Sequence, residues 1–112
     1  MKTDLTDATF IIPIRIESED RLRNVITSVA FLLNNFDTNI IIKEVDKTSV
    51  FKERALPQLE SFFEEVKVKH IFEESVEPLF HRQRVLNEMI MEAHTEIVVN
   101  YENLGNIKIK VS

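Results

Sequence analysis

The chain has 112 residues, 44% hydrophobic and 29% charged, with 14 basic against 19 acidic side chains, no cysteine, no tryptophan and a single glycine. A length near 110 lets folding bury roughly two-thirds of the unfolded chain's surface, which suits one compact domain and leaves no room for a second. Gly105 alone excludes a Gly-rich phosphate loop, a G-x-G-x-x-G fingerprint and a nucleophile elbow, zero cysteines exclude disulfides and thiolate chemistry, and a net charge of -5 without a basic stripe excludes a general nucleic-acid binder.

Asp4 and Asp7 stand where a secretory signal would carry basic residues before an apolar run, so the N-terminus predicts a cytoplasmic chain. The longest apolar runs, at 10–14 and 40–42, fall well short of the roughly 20 residues that span a bilayer, and no transmembrane segment is expected. Residues 9–14, Thr-Phe-Ile-Ile-Pro-Ile, read as a strand buried on both faces, with Pro13 toward its C-terminal end. Ser18 then offers an N-cap, and Glu19 and Asp20 put acids in a first helical turn, where they complement the dipole. Leu22, Val25, Ile26, Val29, Leu33 and Phe36 recur at helical steps until Asn34, Asn35 and Asp37 supply the stop.

Residues 39–45 hold Ile40, Ile41 and Ile42 in a row and read as a second buried strand, with Glu44 and Asp46 at its tip. After a polar stretch, Pro57 marks a helix first turn, and Leu59, Phe62, Phe63 and Val66 continue the helical step. Val66, Val68, His70 and Phe72 alternate with more polar neighbours as a short edge strand. Pro78 precedes a third helix presenting Leu86, Met89, Ile90 and Ala93, and Ile97, Val98 and Val99 open a fourth strand running toward Glu102. Residues 107–111 alternate as a short final strand.

The pattern β-α-β-α-β-α-β plus a C-terminal strand predicts an α/β fold of three layers, a mostly parallel Rossmann-like sheet with helices on both faces. Ligands of such sheets gather beyond the carboxyl ends of the strands, which directs attention to Arg15, Glu17, Glu44, Asp46 and residues 100–103. His70, His81 and His94 lack metal-ligand spacing, and His70 and His94 read as structural or solvated. Arg82 and Arg84 occupy the first turns of the third helix, where they oppose the dipole. Either an anion rationalises them, or Arg84 pairs with Glu88 at i,i+4 while Arg82 is solvated.

Five segments, Phe10-Ile11-Ile12-Pro13-Ile14-Arg15, Arg21-Leu22-Arg23-Asn24, Ile41-Ile42-Lys43-Glu44-Val45-Asp46, Phe80-His81-Arg82-Gln83-Arg84-Val85-Leu86-Asn87-Glu88 and Ile97-Val98-Val99-Asn100-Tyr101, carry a resemblance in their order and spacing. Together they resemble the N-terminal, nucleotide-binding half of a family 2 glycosyltransferase of the GT-A fold, particularly its galactosyltransferase-like members. The resemblance implies a nucleoside diphosphate sugar of the UDP-hexose type as ligand and hexosyl transfer to a sugar hydroxyl as the family reaction. It places Pro13, Arg15, Glu17 and Asp46 around the nucleotide, and Arg82, Arg84 and Asn87 near the diphosphate and sugar. It also implies Mn²⁺ or Mg²⁺, which in the family does the charge neutralisation that a glycine loop does elsewhere.

The family's D-x-D carboxylate motif reads Glu102-Asn103-Leu104 here, which leaves Glu102 as the metal candidate, because Leu104 cannot ligate. The resemblance stops before the acceptor half and its general base, so the reading expects a truncated domain, catalytically incomplete alone. A non-catalytic nucleotide-binding or interaction module on the same half-fold is the other reading, with homo-oligomers formed through an exposed sheet edge. A receiver-like domain would need an acidic pair where Pro13-Ile14-Arg15 stands.

Overall fold

The apolar run near the N-terminus is the interior of a 12-residue strand, β1 (Thr3–Ile14), exposed at its start and buried from Ala8 onward. The structure, a computed structural model, describes residues 2–103 and 106–111, with side chains over 2–101. β1 starts earlier than its apolar run, because β2 (Phe36–Asp46) gives the polar residues at its start a partner. The register slips between Leu5 and Thr9, where ladder bonds are lost. Side chains replace them: Thr38 Oγ1 donates to the carbonyls of Leu5 and Ala8, and Asn39 Nδ2 donates to those of Thr6 and Ala8.

Helix α1 (Glu19–Asn35) begins as its sequence predicts, with Ser18 Oγ accepting from the Arg21 N–H at 3.1 Å and Glu19 and Asp20 in the first turn. Leu22, Val25, Ile26, Val29, Leu32 and Leu33 form its buried face. Phe36 turns extended at the C-cap, so β2 follows with no intervening loop and begins three positions before the strand expected at 39–45.

The polar stretch ahead of Pro57 is not a loop throughout. Residues Phe51–Ala55 wind into a π-helical turn that buries Phe51 and Ala55 and runs directly into helix α2 (Leu56–Phe62), where Pro57 sits in the first turn. α2 buries Leu59 and ends at Phe62, which is 74% exposed, so Phe63 and Val66 fall beyond the helix they were expected to extend. Strand β3 (Lys69–Glu74), helix α3 (Arg82–Glu92), strand β4 (Ile97–Asn103) and strand β5 (Asn106–Val111) complete the chain.

The sheet has five strands in the order β3-β2-β1-β4-β5, with β1 to β4 parallel and β5 antiparallel to β4. Steps from β1 to β2 to β3 travel in one direction, and the next step returns across β1. Right-handed crossovers then require the first helices on one face and α3 on the other. The cores agree: Phe10, Ile12, Ile14, Ile40 and Ile42 pack with α1 and Leu59, while Ile11, Ile41, Val45 and Val98 pack with Val85, Leu86 and Met89 of α3. No helix among the described residues is long and apolar enough to cross a membrane.

Replacing Ser18 by Ala removes the capping oxygen from α1 and should cost about 1 kcal/mol in a denaturant melt. Ser18→Asp, which restores an acceptor at the same place, should recover most of it.

Candidate functional site

The chain of pairs between β1 and β4 ends at Ile11 with Asn100, whereas β1 and β2 stay paired to Ile14 with Glu44. The two central strands therefore part company at their carboxyl ends, where the strand order reverses. Pro13 lies just past the last β1–β4 pair, a place where a residue without an N–H can be held in a central strand. It is fully buried within the sheet and aligned with Lys43, so it shapes β1 and offers no surface.

Arg15 follows immediately and is only 7% exposed. Its Nε donates to the Val45 carbonyl and its Nη1 to the Glu77 carbonyl, both at 2.8 Å, while Nη2 is buried without a hydrogen-bond partner. Among the described residues, no carboxylate pairs with it. A buried donor left unsatisfied costs roughly 1–3 kcal/mol, and more when it belongs to a charged group. The ring of Phe80 lies 5.6 Å from the Arg15 Cζ and equally 5.6 Å from that of Arg82, so two guanidinium groups approach one aromatic ring.

These residues are joined through the β3–α3 connection. The Ser75 N–H donates to the Asp46 carbonyl at 2.9 Å, and the Asp46 carboxylate accepts from the Lys47 N–H at 2.7 Å. A cleft of about 790 Å³ opens beside this connection, lined by Glu73, Ser75, Glu77, His81, Arg82, Gln83 and Arg84. The α3 N-terminus reaches it with no acid in its first turn and no side-chain cap, so the positive end of the helix dipole faces the cleft.

Arg15, Asp46 and Arg82 are thus brought together around residues 75–81. Glu17 stands exposed on the β1–α1 loop. Arg84 lines the same cleft but is engaged by Glu73 at 3.0 Å and by Glu88 at 2.9 Å, the i,i+4 partner its spacing suggested. Lys43 adds a contact to Glu88 at 2.7 Å, and with Arg84 it holds that carboxyl below the usual range. Asn87 is exposed and accepts from Gln83 Nε2 at 3.2 Å. The side chain of Glu102 lies outside the described residues.

Three participants escaped the sequence reading. Phe80 entered only as the first residue of the segment running to Glu88, with no role of its own, and a backbone carbonyl such as that of Glu77 leaves no mark in a sequence. The third is the role of Glu44, which had looked like a strand-tip acid. It is completely buried and accepts from Ser49 Oγ at 2.7 Å, the Phe51 N–H at 3.1 Å and His70 Nε2 at 3.1 Å. The His70 ring packs on Phe51 with centroids 4.8 Å apart, so this histidine is structural and ties the edge strand β3 to the π-helical turn.

A second cleft, of about 450 Å³, lies at the opposite end of the strands and includes Thr9, Asn39, Lys69, His94 and Thr95. Ligands of open α/β sheets gather at the carboxyl ends, and the buried unpaired guanidinium is at that end, so the first cleft is the candidate. Among the described residues, no three His, Asp or Glu side chains converge as a metal site. The acids that line the cleft do not suit a divalent cation, because Glu73 already serves Arg84 and Lys43 and Glu77 is paired with His81. No family model, curated protein or solved structure matches the chain.

Burial alone pushes the Glu44 carboxyl up, but His70, the Ser49 hydroxyl and the Phe51 N–H together outweigh it and hold the group below its ordinary 4.5. A carboxyl lowered by folding stabilises the protein above its unfolded value and loses that contribution as pH falls through the folded one. Glu44→Gln should therefore cost about 2–3 kcal/mol near neutrality, the worth of hydrogen bonds to a buried charge. Urea melts at decreasing pH should show the difference between wild type and variant shrinking below about pH 4.5.

Proposed function

We propose that this chain binds a nucleoside diphosphate sugar of the UDP-hexose type where β1 and β4 part, on the plan of the nucleotide-binding half of a galactosyltransferase-like glycosyltransferase. The observation that carries the reading is Arg15, a guanidinium 7% exposed with one donor unpaired, at the carboxyl end of the strand on which the order reverses. A planar guanidinium matches paired phosphate oxygens, and a buried one binds them with little competition from water. Arg82 supplies a second positive charge beside the same phenyl ring. Asp46, an acceptor at the tip of β2, suits a ribose hydroxyl or a uracil N–H.

In this reading Arg84 and Asn87 act at the rim. Arg84 spends much of its charge on Glu73 and Glu88. A Mn²⁺ or Mg²⁺ ion enters the proposal only through Glu102, and the anion-binding described above rests on the guanidinium groups instead. The reaction served by such a donor is hexosyl transfer to a sugar hydroxyl, and we assign no catalytic residue for it.

Isothermal titration with UDP and a UDP-hexose, with and without Mn²⁺, tests the reading. Binding with Kd below about 1 mM is expected. Arg15→Met should weaken it at least about tenfold while changing folding stability by no more than about 1 kcal/mol, since an apolar isostere removes a buried charge that is incompletely satisfied. Arg84→Ala should weaken it less. Absence of heat or competition at about millimolar UDP sinks the proposal.

A further inference from the structure

We infer that residues 75–81 form a gate over this anion site, in which the main-chain carbonyl of Glu77 stands where a phosphate oxygen of the ligand is to sit. The inference rests on the nucleotide reading above and adds how the site is opened.

The Glu77 carbonyl takes one donor of Arg15, Nη1, at 2.8 Å and leaves the adjacent Nη2 with none. A neutral carbonyl is the weaker acceptor for a guanidinium, and this one engages Nη1 alone. A phosphate offers an anionic pair of oxygens in the spacing that the two Nη groups present. The closed loop therefore occupies the site without satisfying it, and the ligand class able to displace it is a phosphate or diphosphate.

The loop is also built to move at low cost. Val76 and Leu79 are 76% and 70% exposed, so shifting them uncovers little apolar surface. From Ser75 to Leu79 its other ties are polar: Ser75 N–H to the Asp46 carbonyl, Glu77 N–H to Ser75 Oγ, and His81 Nε2 with Glu77 Oε2 at 2.9 Å. Water can replace each of them. Phe80, packed against the α3-side core, anchors the far end as a hinge. Glu77, His81 and Arg82 line the cleft beside the loop, which gives the displaced segment space and brings the Arg82 guanidinium to the incoming anion. Pro78, at the centre of the segment, restricts the backbone and favours the closed form.

A site that is open only part of the time binds with an affinity reduced by the open fraction. Pro78→Gly loosens the loop and should tighten binding of both UDP and inorganic pyrophosphate by about threefold or more, leaving uridine unchanged. Glu77→Ala, which cuts the tie to His81, should act in the same direction and guards against a folding effect of the glycine. Equal affinities in wild type and both variants, or a gain that uridine shares, overturn the gate and leave the nucleotide reading standing. If neither UDP nor pyrophosphate binds wild type or variant, the nucleotide reading falls and the gate with it.

Discussion

The carboxyl end of this sheet depends on the burial of β1 on both faces. Ile11 packs against α3 while Phe10, Ile12 and Ile14 pack against the α1 side, so the strand is held in the middle layer with helices above and below. Because crossovers between parallel strands are right-handed, covering both faces requires the order of strands to reverse somewhere, and it reverses on β1. The loops that leave β1 and β4 then diverge. A crevice at that point follows from chain topology, before any particular side chain is considered.

Two buried charges show how the surrounding structure treats such a position. Glu44 is completely buried, yet three donors surround it, so its charge is stabilised and it ties β2, β3 and the π-helical turn into one unit. Arg15 is almost as deeply buried, but two neutral carbonyls and an aromatic ring are its surroundings. The contrast separates structural from functional polarity. A fully satisfied group serves the fold, whereas an incompletely satisfied one keeps free energy in hand that a ligand with matching charge can release.

Much of the fold was legible from residue pattern because burial acts locally along each element. Two-sided burial makes β1 and β2 read as unbroken apolar runs, and one-sided burial gives α1 its periodic stripe with Ser18 at the cap. The departures came where distant segments supplied the partners. The polar start of β1 is a strand because Thr38 and Asn39 bond its carbonyls, and the polar stretch at 51–55 winds up because Phe51 and Glu44 anchor it. The site was legible to the extent that arginines and acids clustered at strand ends. Pairing of Arg84 with Glu73 was not, since the two meet only when β3 lies beside β2 and α3 packs over that edge.

Composition and order by themselves determined the α/β class, the absence of a glycine phosphate loop and the position of Arg15 after the first strand, because these depend on residue type and short-range spacing. Tertiary structure alone decided that Arg15 is buried with no counter-ion among the described residues, that it shares the Phe80 ring with Arg82, and that the Glu77 carbonyl sits on it. Each of those facts requires the end of β1, the end of β2 and the β3–α3 connection at one point in space. Linear sequence separates the Arg15–Glu77 pair by 62 residues, and only the reversal of strand order brings them into contact.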